Sequence, residues 1–189
     1  MPLKMPVRTG CGIGELKRGD FMSGLKLVRP SLEHKFMYEA MMDEWEAFGG
    51  RLNPGALRRY SNVRQGNVTY EEWLEWVKED RETIQDLYFF MDDRMLLGAI
   101  SIRYKCAGID GHSGFGIRPS ERNKGYASRM LSLALPIMKD YGISPAVLSC
   151  AKTNIGSAKT ILNNGGRFIE EVMEEDTGEI IQIYQIYDL

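Results

Sequence analysis

Gly114-Phe115-Gly116-Ile117-Arg118-Pro119-Ser120-Glu121-Arg122-Asn123-Lys124-Gly125-Tyr126-Ala127-Ser128-Arg129-Met130-Leu131 is the stretch on which the fold turns. An apolar strand ends at Pro119, a short polar turn follows, and a helix opens on Arg122-x-x-Gly125-x-Ala127. A helix N-terminus presents unpaired N–H groups and a partial positive charge, which suits a diphosphate. Gly125 leaves the backbone bare so that phosphate oxygens can approach, and Ala127 is small for the same reason. Arg122 and Lys124 add positive charge beside the turn. The helix is expected over 123–141. Ala127, Met130, Leu131, Ala134, Ile137, Met138 and Tyr141 form its apolar side, and Pro136 is expected to kink it.

Working outward, His112 to Ile117 reads as the strand that feeds this turn, and Ala146 to Ala151 as the strand that follows the helix. Asn154 to Leu162 reads as a short helix stopped by Asn164-Gly165-Gly166. Arg167 to Glu174 and Glu179 to Tyr187 form a hairpin across Asp176-Thr177-Gly178. Upstream, Leu87 to Met91 and Met95 to Lys105 form a hairpin at Asp92-Asp93-Arg94, and Leu25 to Arg29 is a strand ended by Pro30. Ser31 can cap a helix carrying Leu32, Phe36, Met37, Met41, Trp45 and Phe48, which Gly49-Gly50 stops. Thr69 and Glu72 form a capping box for a helix expected to bury Trp73, Trp76 and Val77. Residues 51 to 68 are loop-like and basic. Antiparallel hairpins with one β-α-β passage predict a mixed α/β (α+β) sheet. A flexible segment is expected over residues 1–23, with one domain over 24–189; Met22 is a candidate start.

The 189 residues carry a formal net charge of −2 and a pI near 5.8, which argues against sequence-independent nucleic-acid binding. No apolar run approaches the ~20 residues of a membrane span, and the N-terminus has no apolar core of a secretory signal. Cys11, Cys106 and Cys150 are odd in number and widely spaced, and only His34 and His112 are present. Neither a disulfide framework nor a metal site is expected, and the cytoplasm is the expected location. Gly10-Cys11-Gly12-Ile13-Gly14 lacks the final glycine and the strand of a dinucleotide turn, and Gly156 to Thr160 lacks the glycines of a P-loop.

The turn Arg122 to Ala127 resembles the pyrophosphate loop of the GNAT superfamily of N-acetyltransferases, written [Gln/Arg]-x-x-Gly-x-[Gly/Ala]. Asn154-x-x-Ser157, on the helix after the next strand, resembles the family's second signature. The run from Gly111 to Ala127 is similar to that of a predicted bacterial subfamily whose acceptors are largely unassigned. Order and spacing agree over residues 24 to 189. The resemblance implies a single GNAT-like domain, with a mostly antiparallel mixed sheet of six to seven strands splayed around an acyl-CoA site and about four helices. It implies acetyl-CoA as acyl donor. Arg122, Asn123, Lys124, Gly125, Tyr126 and Ala127 would hold the pyrophosphate. Phe115 and Ile117 would pair with pantetheine through their main chain, and Asn154 and Ser157 would lie along the pantetheine and adenosine arm. A main-chain N–H near Phe115 would also face the thioester carbonyl and stabilise its oxyanion.

The chemistry then needs a base for the amine and, in many relatives, an acid for the thiolate. His112 is a candidate base, since it lies on the strand ahead of the turn and titrates in the useful range; main-chain partners near a turn would account for it equally. Asp110, Glu44 and Glu46 are weaker candidates. Many family members carry a Tyr seven residues after the helix Asn. Here that position is Ile161. Tyr184 and Tyr187 on the last strand are candidate replacements, Tyr184 the first to test as acid, although sheet packing would account for both, and Cys150 reads as a small buried apolar residue. The expected function is transfer of an acetyl group from acetyl-CoA to a primary amine of a small molecule or peptide by direct attack. The alternative is a non-catalytic acyl-CoA-binding sensor or partner module of the same fold. No nucleic-acid or membrane partner is expected, and the apolar helices would support a homodimer.

Overall fold

The computed structural model describes residues 24–50, 52–57, 68–106 and 108–189. The segment 1–23 and most of the basic loop, residues 58–67 in particular, lie outside the described residues. In chain order the elements are β1 (Lys26–Val28), α1 (Lys35–Phe48), α2 (Tyr70–Thr83), β2 (Gln85–Met91), β3 (Leu96–Arg103) and β4 (Ser113–Ile117). Then come α3 (Tyr126–Asp140), β5 (Ala146–Ala151), α4 (Ile155–Leu162), β6 (Arg167–Met173) and β7 (Ile180–Ile186). Single 3-10 turns cover Leu32–His34, Gly108–Asp110 and Pro119–Glu121.

Local chemistry accounts for the boundaries. Thr69 caps α2 by accepting from Glu72 N, while the Glu72 carboxylate accepts from Thr69 N at 2.7 Å. The β2–β3 hairpin closes on Asp92, whose Oδ1 accepts from Arg94 N at 2.8 Å and Met95 N at 2.9 Å. The helix expected from residue 123 begins at Tyr126 instead, because Asn123 (φ 62°) and Gly125 (φ 83°) are left-handed and cannot continue a right-handed helix. α3 then runs through Pro136 without interruption.

The strands form two sheets, ordered β1-β2-β3-β4 and β5-β7-β6, and every pairing is antiparallel. The first sheet is covered on both faces. Tyr88 and Phe90 join the core under α3, while Leu87, Phe89 and Met91 alternate to the core under α1 and α2. In that second core Tyr38 stacks on Trp73 at 4.9 Å and on Phe89 at 5.2 Å. Burial on both faces explains why β2 and β3 read as continuous apolar runs rather than alternating ones. The α1 stripe departs from expectation. Met41 and Trp45 are buried with Tyr38 and Met42, whereas Leu32, Phe36 and Phe48 are exposed. Phe36 precedes Met37 by one residue, roughly 100° around the helix, and so leaves the buried face. Trp76 likewise remains 36% exposed while Trp73 is fully buried.

A polar cluster fastens the closed end of the first sheet. Asp86, 1% exposed, accepts on Oδ2 from Arg29 Nη2 (2.8 Å), Tyr88 OH (2.7 Å) and Tyr141 OH (2.8 Å), so the chain after β1, the start of β2 and the end of α3 meet there. Burial first, then the neighbouring Asp86 charge, pushes the Tyr104 hydroxyl up to about 12.

The two sheets meet at one junction. His112 N donates to Val147 O at 2.7 Å, and Val147 N donates to His112 Nδ1 at 3.0 Å. A Cβ on Gly111 would lie 2.5 Å from Val147 O, so only glycine allows this approach. β4 and β5 start at the junction and part from it, each an edge strand of its own sheet. The space between them is the site.

Candidate active site

The parted strands enclose a cleft of about 800 Å³, lined by Ser113 to Ile117 on one side and Ser149 to Ala151 on the other. Because β4 pairs only with β3 and β5 only with β7, each presents one row of unpaired main-chain groups. An extended amide-bearing ligand can satisfy those rows as a strand would.

The turn after β4 is held rigidly at the cleft's mouth. Arg118, 9% exposed, donates from Nε to Glu44 Oε2 at 2.8 Å and from Nη1 to Leu96 O at 3.2 Å. Glu44 Oε1 accepts from Ser120 N at 2.6 Å. Burial works against the Glu44 carboxylate, but the Arg118 and Ser120 hydrogen bonds outweigh it and hold its pKa below the usual range. Glu44 is therefore a committed anchor of the turn and is unavailable as a base. Arg122 donates from Nε to Ile117 O at 3.1 Å and lays its guanidinium over the rings of Phe48 (4.7 Å) and Trp45 (5.6 Å). Among the described residues, no carboxylate lies at ion-pair distance from it. No side chain caps α3, so the first-turn N–H groups of Ala127 and Ser128 have no partner within the helix. The left-handed pair Asn123 and Gly125 turns the preceding backbone around the same point. These features fit a diphosphate.

Of the expected residues, Phe115, Ile117, Arg122, Asn123, Gly125, Tyr126, Ala127, Asn154 and Ser157 come together as lining of this one cleft. Asn154 caps α4, its Oδ1 accepting from Ser157 N at 3.0 Å. Lys124 turns aside to Glu121 at 2.9 Å and is not part of the lining.

Neither His112 nor Tyr184, the two residues expected to be catalytic, is among the residues that line the cleft. His112 Nδ1 accepts from Val147 N, so the neutral ring carries its proton on Nε2. Burial, aided by the charge of Arg103, pushes its pKa down. Tyr184 is 4% exposed, packs edge-on against Phe168, and donates to Gln182 Oε1 at 2.7 Å. Burial raises its pKa. Ile161 is fully buried, and a Cβ on neighbouring Gly166 would lie 2.4 Å from it. Position 161 therefore belongs to the core, and the hydroxyls that α4 brings to the cleft are those of Ser157 and Thr160. Cys150 lines the cleft, and burial raises its thiol pKa, as for an apolar filler. Asp110 also lines the cleft; Glu46 does not.

A profile of the acetyltransferase (GNAT) domain matches residues 26–167. The chain belongs to the GNAT acetyltransferase family. An enzyme of this family takes its acyl group from acetyl-CoA, and the GNAT cleft has the turn and the two strand edges to receive it. Among solved structures, this GNAT domain is similar to the microcin C7 self-immunity acetyltransferase MccE in complex with acetyl-CoA and AMP. The TM-score is 0.63 at 16% identity, covering 87% of this chain and 93% of that one. It is also similar to the Salmonella typhimurium acetyltransferase that modifies the N-terminal serine of ribosomal protein L7/L12. There the TM-score is 0.65 at 12% identity, with coverage of 87% and 95%. A third is yncA of Salmonella typhimurium with acetyl-CoA, at TM-score 0.56, 11% identity and coverage of 87% and 94%. At such identities the likeness is one of fold. No curated protein matches the chain.

The GNAT cleft also holds residues that no local pattern marked: Trp45, Asn53, Arg103, Ile109, Glu174 and Glu179. They come from α1, two loops, the end of β3 and the β6–β7 turn, so no short window of sequence contains the set. Among the described residues, no cluster of His, Cys, Asp or Glu could hold a metal ion, and no helix is long and apolar enough to cross a membrane.

Proposed function

We propose that the protein transfers the acetyl group of acetyl-CoA to a primary amine of a small molecule or peptide by direct attack, and works in the cytoplasm with its thiols reduced. The observation that carries this reading is the uncapped start of α3, preceded by left-handed Asn123 and Gly125, at the mouth of a cleft walled by two unpaired strand edges. The diphosphate sits on Gly125 to Ser128, with Arg122 and Asn123 beside it. Pantetheine pairs with the main chain of Phe115 and Ile117 and passes Asn154 and Ser157. The thioester then lies toward the narrow end near the junction, where a β4 N–H faces its carbonyl oxygen. The amine nitrogen attacks the carbonyl carbon, the C–S bond breaks, and coenzyme A leaves as thiolate.

His112 spends its Nδ1 lone pair as the acceptor for Val147 N and is not among the residues that line the cleft, which disfavours it as the base. It acts as the clip between the sheets. The amine's proton passes to water or to a carboxylate of the lining such as Asp110. A thiol with a pKa near ~8.5 leaves without obligatory protonation at neutral pH. The test is release of coenzyme A thiol across a panel of amines, with Gly125→Glu as the control that removes donor binding. Thiol release dependent on an amine supports the reading. Tight acetyl-CoA binding with no release for any amine overturns it and leaves a sensor of acyl-CoA.

A further inference from the structure

Arg103 ends β3 at the closed end of the cleft and lines it. Its Nε donates to Gly111 O at 2.8 Å and its Nη2 donates to Asp110 O. Arg29, Arg94 and Arg118 each reach a carboxylate; Arg103, although half-buried, meets no carboxylate at ion-pair distance among the described residues. Its hydrogen bonds go to carbonyls and the Asp110 carboxylate acts on it only from beyond ion-pair distance, so this partly desolvated cation retains attraction for an anion.

The surroundings leave room for one. Along β4 the side chains alternate. Phe115 and Ile117 point into the core under α3, and the intervening Gly114 and Gly116 face α1 and the loop at residues 53–55. A Cβ on Gly116 would strike Asn53 O at 2.5 Å and the Trp45 ring at 2.8 Å. At Gly114 the space widens, with Pro54 Cβ at 3.6 Å and Arg103 Nη1 at 3.8 Å. Nη1, which neither carbonyl engages, thus borders a side-chain-free patch of β4. Ser113, 5% exposed, also lines the cleft, but by the same alternation its hydroxyl, without a hydrogen-bond partner among the described residues, lies on the Phe115 side of β4. The pyrophosphate turn lies on the α3 side, so this patch is where an acceptor would enter.

We propose that Arg103 receives an oxyanion, a carboxylate or a phosphate, carried by the acceptor, so that the substrate is a small amine bearing its own acidic group. The inference rests on the acetyltransferase reading of the cleft. The acid seated on Arg103 fixes the acceptor at one end and presents its amine to the thioester. Asp110 lines the same cleft, and its carboxylate disfavours any anion that does not pair directly with Arg103.

Matched acceptor pairs test this on the full chain: glycine against glycinamide, and O-phosphoethanolamine against ethanolamine, each followed by thiol release. The acidic member of at least one pair is expected to have a kcat/KM greater by about tenfold or more. Arg103→Met is expected to bring that ratio near unity while acetyl-CoA affinity holds. Arg103→Lys, which keeps the charge but not the fork, is expected to retain part of the preference. Ratios at or below unity for both pairs, or a ratio that Arg103→Met leaves unchanged, overturn the inference. If no amine releases thiol, the acetyltransferase reading fails by itself, and binding decides the role of Arg103. N-acetylglycine is then titrated against N-acetylglycinamide by NMR. Acid-selective shifts lost in both Arg103 variants support the oxyanion site, and their absence in the wild type overturns it.

Discussion

Gly125 combines two demands that no other residue meets: φ of 83°, which L side chains rarely adopt, and a bare surface on the cleft where the diphosphate is proposed to sit. Gly125→Glu imposes strain of about 1–2 kcal/mol and places a carboxylate against the phosphates. Acetyl-CoA affinity is expected to fall at least about thirtyfold by calorimetry, with the melting temperature lowered by a few degrees. At Tyr184 the structure redirects the expectation. Its hydroxyl is engaged by Gln182 within β7, and its ring packs in the core. Tyr184→Phe is expected to change kcat by less than about threefold, whereas loss of a general acid would cost about a hundredfold. A hundredfold fall would restore Tyr184 as the acid. The glycine was legible because a left-handed turn residue announces itself in sequence. The tyrosine was not, because the direction of a strand side chain relative to a distant cleft is a three-dimensional fact.

Among the elements, α1 and the turn after β4 are joined by Glu44 and Arg118, whose side chains are 26% and 11% exposed. Glu44→Ala leaves a buried guanidinium without its carboxylate and Ser120 N without its acceptor. A loss of about 2–3 kcal/mol in urea unfolding is expected, together with weaker acetyl-CoA binding because the turn loses its anchor. The folded pKa of Glu44 lies below its unfolded value. The pair's contribution is therefore complete above the ordinary carboxylate range and is lost as pH falls through the folded pKa. Glu44→Gln is expected to flatten the stability profile between about pH 5 and pH 3. Helix caps, the Asp92 hairpin and β5 were readable because each depends on residues within a few positions. The tie between Glu44 and Arg118 spans the chain from α1 to the end of β4, and the sequence offered Glu44 only as a weak candidate base.

For the whole molecule, the two sheets share the core under α3, and His112 adds the hydrogen-bonded contact with Val147 at the point where β4 and β5 part. The folded pKa of His112 is depressed, so the unfolded chain binds the proton more tightly. The stability it contributes is full above the usual histidine pKa and declines as pH falls toward the folded value. His34, whose pKa burial also lowers, has the same sign, so the informative quantity is the wild type minus His112→Phe. That difference is expected to shrink as pH falls from about 7.5 to 5.5 in thermal melts. At the upper pH, His112→Phe should destabilise by about 1–2 kcal/mol, since Val147 N loses a buried acceptor. A difference independent of pH would show that the ring's protonation does not govern the junction.

The sequence by itself determined the turn between β4 and α3, the order and nature of the elements, and the family. These follow from helical and strand periods, capping residues and glycine positions, all of which act over short spans of chain. Only the tertiary structure decided that the strands divide into two sheets and that Ile161 and Tyr184 face the core. It also decided that His112 bonds to Val147 at the junction and that Arg103 lines the cleft with no carboxylate at ion-pair distance among the described residues. Each of these depends on which distant backbones approach closely enough to pair or to bury a side chain. Long-range packing sets those approaches, and no local pattern encodes them.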